Sequence, residues 1–229
     1  VLRKFVEDSL KRLQLERIDL IQLHCPPTDV FYRPEIFELF DTLKQEGKIR
    51  HLGVSIEKVE EGLKAMEFDN VCSIQLIFNM FRQRPIEKLF AEAKRNNVGL
   101  IARVPLASGL LTGKFSASTK FDKDDHRNFN RNGEAFDKGE TFSGINYESG
   151  LQAVEKLKSI FPENELPLVA LKWILSFQEV SCVIPGASRP EQIFQNLQVR
   201  EFPGLNAKQS QEIQQIYDDF IKPDVHQRW

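Results

Sequence analysis

The segment Ile184-Pro-Gly-Ala-Ser-Arg-Pro-Glu191 carries the densest chemistry in the sequence. An apolar run delivers the chain through Gly186 into Ser188, which can cap a new helix with Glu191 as its reciprocal partner. Exposed N–H groups and the positive end of such a helix favour a phosphate, and Arg189 adds a planar, permanently charged donor fork. The same residues also describe a well-made helix start with a solvated arginine, so both readings stay open here. His24 closes an earlier apolar run, just before Cys25-Pro26-Pro27. At the C-terminal mouth of a parallel barrel an imidazole can polarise a carbonyl or pass a proton near neutral pH; elsewhere a lone histidine is structural.

Gln75 lies among Ile74, Leu76 and Ile77, with Asn79 four residues on. A buried amide there either binds a carboxamide-like ligand or satisfies backbone groups. Ser55, after Gly53-Val54, has the same two readings, since serine also caps helices. The run Arg103 to Lys114 enters about 40 residues without a regular pattern, a length that inside a compact domain points to a lid. Asp122, Asp124, Asp125 and His126 cluster in that stretch, but among Lys, Arg, Asn and Gly they read as a solvated loop. No defined ligand spacing appears, and no metal site is expected.

The elements that must position these groups follow from apolar spacing. Leu2, Phe5, Val6, Leu10 and Leu13 fall at intervals of three and four, which predicts a helix over 2–14. Ile18 to Leu23 is a short apolar run stopped by two prolines and reads as a buried strand. A helix from Pro34, ended by Gly47, leads to a strand from Ile49 to Val54. The alternation goes on: helix 57–67, strand Ser73 to Phe78, helix Pro85 to Asn96, strand Val98 to Val104. After the long loop come helices at 148–161 and 166–178, a strand from Ser181 to Pro185, and helices near 189–197 and 207–220. Asn206 and Gln209 form a capping box before the last. Five strands, apolar on both faces and alternating with helices, imply a parallel sheet covered by helices.

A doubly wound sheet is the default alternative. No GxGxxG follows any strand, and Gly109 and Gly113 have other spacing. The turn after the last strand sits where (β/α)8 barrels bind phosphate, and such barrels run to about 250 residues. The 229 residues, opening on Val1 inside a helical pattern, therefore predict one domain over 1–229, an N-terminally truncated barrel. Its edge strands should be open and invite self-association.

Composition narrows the function classes. The chain is 41% apolar and 28% charged, the mix of an ordinary globular protein. Its most apolar stretch, Pro167 to Phe177, is short and carries Lys172, and no signal peptide is visible. Cys25, Cys72 and Cys182 are odd in number and widely spaced, which argues against disulfides and for a reducing cytoplasm. A net charge of −2 gives no reason to expect nucleic acid or a membrane surface as partner.

Several segments, in this order, resemble the aldo/keto reductase family: Ser9 to Leu13 leading into Ile18 to Pro26, Gly47 to Ser55, Gln75 to Asn79, Pro105 to Lys114, and Ile184 to Asn196. The resemblance covers essentially the whole chain. It implies a (β/α)8 TIM barrel of which strands four to eight are present, and NADPH-dependent reduction of aldehydes or ketones to alcohols. By the resemblance, His24 orients the substrate carbonyl, and Ser55 and Gln75 hold the nicotinamide carboxamide. Arg103, Val104, Pro105, Leu106, Ser108 and Lys114 line the pyrophosphate. Ile184, Gly186, Ser188, Arg189, Gln192 and Asn196 take the adenosine end, with Arg189 implying NADPH over NADH.

The sequence departs from the family pattern at Arg103, where many members have an aromatic residue, and at Ile56, where many have Asn. The family's Asp, proton-donating Tyr and Lys belong to strands two and three, which the resemblance places outside this chain. Little or no carbonyl turnover is therefore expected of these 229 residues. Within the same fold the alternative is a non-catalytic NADPH-binding member that regulates a partner, as channel-associated subunits do. Sugar or phosphate-ester chemistry on an unrelated barrel would need carboxylates or lysines at several strand ends, and those ends carry His24, Ser55, Asn79 and Arg103 instead.

Overall fold

A computed structural model describes residues 1–229. Helix α1 (Leu2–Leu13) turns Val6 fully inward and ends where Gln14 adopts a left-handed conformation, its N–H bonding back to Leu10 and Lys11. Strand β1 (Ile18–His24) follows, then α2 (Pro34–Gln45), which buries Phe37, Phe40 and Leu43 along one stripe. Gly47, at φ +76°, lets the Lys48 N–H close back onto Leu43 O and turns the chain into β2 (Ile49–Ser55). Next come α3 (Val59–Ala65), β3 (Val71–Ile77), α4 (Leu89–Arg95) and β4 (Gly99–Arg103).

Beyond β4 lie α5 (His126–Phe129), α6 (Tyr147–Lys158), α7 (Leu166–Leu175), β5 (Val180–Val183), α8 (Pro190–Leu197), α9 (Ala207–Ile216) and α10 (Lys222–Val225). The expected capping box at Asn206 and Gln209 is present. No helix is long and apolar enough to cross a membrane.

The five strands pair in sequence order, β1-β2-β3-β4-β5, all parallel. A doubly wound sheet reverses its strand order at a switch point, and this one does not. The arrangement is that of barrel strands. β1 and β5 each pair on one side only, so the sheet is an open arc.

One continuous cluster of 44 buried residues lies under the helices and the long loop. Leu23, Val54, Ile74, Leu76, Leu100 and Ala102 point into it from the strands. The opposite face carries Gln22, His24, His51, Gln75 and Ile101, half-buried or exposed. The expectation of strands apolar on both faces is thus corrected. Only one face meets helices, and the other, which a closed barrel would pack, is mixed, with Leu20, Ile77 and Ile101 among the polar groups.

Two further expectations are corrected. The segment from Pro85 does not start a long helix: Arg84–Ile86 is a single tight 3-10 turn, and α4 begins at Leu89. The stretch after Arg103 is not structureless. It folds into 3-10 turns at Ala107–Thr112, Lys138–Glu140 and Phe142–Gly144 and buries Leu110, Leu111, Phe142 and Ile145.

Candidate functional site

Parallel strands put all their C-terminal ends at one rim. The register aligns His24 with Ser55, Ser55 with Gln75, and Gln75 with Ile101, so three sequence-predicted residues share one row across β1 to β3, while Arg103 lies two residues further on, opposite Ile77. Gln75 Nε2 donates to Gln22 Oε1 at 3.0 Å, while Gln22 Nε2 is buried without a partner. His24 is exposed at the free edge. Ile56, where the resemblance expects Asn, is buried and offers the rim only its carbonyl.

Just above the row the chain makes a second, tighter constellation. Cys25 leaves β1 with φ +44°, its N–H bonds Ser55 O at 3.0 Å, and its Sγ lies 3.3 Å from Ser55 Oγ. Arg103, 7% exposed, donates Nη2 to Cys25 Sγ at 3.4 Å and to Ile56 O at 3.2 Å. Its Nη1 pairs with the Glu140 carboxylate, and its Nε is buried with no partner. Burial pushes the Cys25 thiol above its ordinary range, against the pull of the Ser55 hydrogen bond and the Arg103 charge. Burial, together with the charges of Asp137, Glu140 and Glu61, pushes Glu57 up to about 7. Ligand atoms of Cys25, Glu57 and Glu140 lie within 4.8 Å of one another, but the Arg103 guanidinium already supplies the cation there. The Asp122–His126 cluster has other uses: Asp125 caps α5, and His126 Nδ1 meets Thr141 Oγ1 at 3.1 Å.

The loop side is mostly architectural. Val104 sits at φ +52°, an unusual conformation for a β-branched residue. Asn79 holds it there, donating Nδ2 to Val104 O at 2.9 Å while Oδ1 accepts from Phe81 N at 2.8 Å. Asn79 is therefore a fully satisfied structural amide. Ser108 donates to Glu140 O and accepts from Phe142 N. Pro105 is buried, Leu106 half-buried and Lys114 exposed.

On the far side, the Ile184 N–H continues the ladder to Ala102 O at 2.9 Å before the chain enters the turn. A Cβ on Gly186 would meet nothing within 4 Å. Ser188 and Arg189 are exposed, and Asn196 is half-buried. The expected Ser188–Glu191 box is corrected. Pro190 takes the first helical position, Arg189 becomes the N-cap, and the third position falls on Gln192. Gln192 Oε1 accepts from Ser188 N at 2.7 Å and from Arg189 N at 3.2 Å, so those N–H groups are satisfied within the chain rather than free.

The rim thus gathers His24, Ser55, Gln75 and Arg103 in four neighbouring strands, and the Gly186–Gln192 turn at the same end of β5. Strand spacing of about 4.8 Å separates the β1 and β5 ends by about 19 Å along the sheet. Sequence reasoning missed Cys25, Glu57 and Glu140. A thiol beside the rim histidine was the one local signal; the two carboxylates gave none.

Residues 1–218 match the sequence profile described as "Aldo/keto reductase family". The chain is 30% identical over 220 residues to the aldo-keto reductase YhdN of Bacillus subtilis, covering 96% of this chain and 64% of YhdN. Among solved structures it is similar to the aldo-keto reductase AKR11C1 of Bacillus halodurans in its holo form, with TM-score 0.69 and 29% identity. That match covers 93% of this chain and 65% of the other. It is also similar to the glycerol dehydrogenase AKR11B4 of Gluconobacter oxydans, with TM-score 0.72, 29% identity, and coverage of 100% and 65%. The chain spans just under two thirds of the length of the relatives it matches.

Proposed function

The chain belongs to the aldo/keto reductase family, and we propose that its strand-end rim holds NADPH beside a small carbonyl compound in the reduction of aldehydes or ketones to alcohols. The observation that carries this reading is topological: the imidazole of His24 and the Gly186–Gln192 turn emerge at the same end of one parallel sheet. The residues fit an anionic dinucleotide. Arg189 is exposed and makes no ion pair, Gly186 is open to approach, and Arg103 keeps a buried, unpartnered Nε.

Bound NADPH supplies a hydride. In this reading Arg189 selects the ribose phosphate with its guanidinium fork, and Gln192 hands over the Ser188 and Arg189 N–H groups to it. Ile184 and Asn196 flank the adenosine end, and Pro105, Leu106, Ser108 and Lys114 line the pyrophosphate path. Ser55 and Gln75 orient the nicotinamide amide, and His24 orients the carbonyl oxygen. Arg103 and Val104 shape the far wall.

The five strands are read as strands four to eight of an eight-stranded barrel, within one domain. Their strict sequential order and the share of the relatives' length support that correspondence. The three free cysteines fit a reducing, cytoplasmic setting. The strand ends carry His24, Ser55, Ile77, Arg103 and Val183, with no tyrosine or lysine to donate the proton. The 229-residue chain should therefore bind NADPH yet reduce carbonyls poorly. An NADPH-oxidation assay of the purified chain tests this: turnover in the usual enzymatic range of about 1–1,000 s⁻¹ would contradict it. A second reading within the same fold is a non-catalytic NADPH-binding regulator of a partner. The family's Asp, Tyr and Lys found intact upstream of these residues would favour the reductase, and their replacement would favour the regulator.

A further inference from the structure

The family match ends at residue 218, and the residues after it fold back across the long loop. A helical turn at Tyr217–Ile221 and α10 lead to Trp229. Two bonds fasten this return. Tyr217 Oη meets His226 Nδ1 at 2.8 Å, and His226 Nε2 meets Glu87 Oε1 at 2.8 Å. Arg84 Nη1 then donates to Trp229 O at 2.9 Å, 145 residues away in sequence.

Trp229 is only 6% exposed. Its Nε1 donates to Asp137 Oδ1 at 2.8 Å, and the Arg82 guanidinium stacks on its ring at 4.0 Å. A Cβ on Gly144 would run into the ring, and one on Gly139 would come within 3.0 Å of it, so the loop is glycine where the indole lies. Asp137 Oδ1 also accepts from Gly139 N at 2.6 Å, and the next residue, Glu140, is the one that pairs with Arg103. Arg82 in turn donates to Ser143 O at 3.2 Å. The contacts therefore run without a gap from Trp229 through Asp137 and Glu140 to Arg103 at the strand ends.

We propose that Trp229 is a positioning residue that pins the segment Asp137–Gly144 across the rim, keeps Glu140 on Arg103, and so controls how fast a dinucleotide enters and leaves. The dinucleotide half of this statement rests on the function proposed above; the pinning half does not.

The test compares the full chain with Trp229→Ala and Trp229→Phe by hydrogen exchange and by stopped-flow release of NADPH. Trp229→Ala should speed exchange across 137–144 by about tenfold while β1 to β4 keep their protection. Trp229→Phe keeps a ring on Arg82 but loses the bond to Asp137, and should fall between the two. NADPH should leave the alanine variant several times faster, with the phenylalanine variant partly restored. Unchanged exchange across 137–144 would overturn the proposal, as would equal acceleration through β1 to β4 in the phenylalanine variant. If no form of the chain binds NADPH, the dinucleotide reading falls and exchange alone decides the pinning.

Discussion

At the scale of single residues the rim is governed by an imbalance of charge. Asp137, Glu140 and Glu61 crowd Glu57, with Arg103 and Arg82 as the buried cations nearby, and burial first and these carboxylates second push Glu57 up to about 7. The folded state then binds more protons than the unfolded one between about pH 4.5, the ordinary value, and about 7. This group's contribution is therefore fully favourable below 4.5 and declines as pH rises through 7. Glu57→Gln removes the decline: melting temperatures of the two proteins should agree near pH 4.5 and diverge in favour of the variant above pH 7. Equal pH dependence would show that the carboxyl titrates normally. Arg103→Ala leaves Glu140 without its partner and should cost about 3 kcal/mol in urea unfolding. A change below about 0.5 kcal/mol, the size of an ordinary surface substitution, would mean the pair is effectively solvated.

Little of this constellation was legible in the sequence. Arg103 meets Cys25 across 78 positions, Ile56 across 47 and Glu140 across 37, and local spacing carries no such information. Strand-end position picked out His24, Ser55 and Arg103, and a polar amide inside an apolar strand picked out Gln75.

At the scale of elements, local rules did better. Periodicity placed α1, α2, β1 and β2 to within about two residues, the usual latitude of helix and strand ends. Gly47 ends α2 as its sequence position predicts, at φ +76° with open space where a Cβ would lie. Gly47→Ala therefore meets no clash and should cost only the left-handed backbone penalty, about 1–2 kcal/mol by denaturant unfolding. A neutral result would mean the turn relaxes to another conformation.

The errors have physical causes too. Proline lacks an N–H, so Pro190 moved the α8 N-cap one residue on, and Gln192 rather than Glu191 became the reciprocal partner. The long loop looked structureless because its turns use Val104, Ala107, Ser108, Phe142 and Ser143 at positive φ, where sequence patterns expect glycine or asparagine. Those turns persist because Asn79 holds Val104 from β3's end, while Ser108 bonds Glu140 O across the loop and the loop's own apolar side chains are buried.

At the scale of the whole molecule, the sheet leaves two edges and one face without a covering layer. Leu20 on β1, Ile184 after β5, and Ile193, Phe194 and Leu197 on α8 are all more than a third exposed. Parallel strands normally stay covered on both faces, and open apolar edges pair with other chains. The 229-residue chain should therefore self-associate in sedimentation velocity as its concentration rises, and Phe194→Lys should weaken that association. A strictly monomeric chain at all concentrations would count against the open-arc account.

The central claim is that this rim binds a nucleotide's extra phosphate through Arg189. The direct measurement is a fluorescence titration of the wild-type chain and Arg189→Gln with NADPH and with NADH. A charge-assisted hydrogen bond contributes about 1.5–3 kcal/mol, so the wild type should prefer NADPH by at least about tenfold and the variant should bind both alike. Equal affinities in the wild type, or a preference that survives in Arg189→Gln, would contradict it.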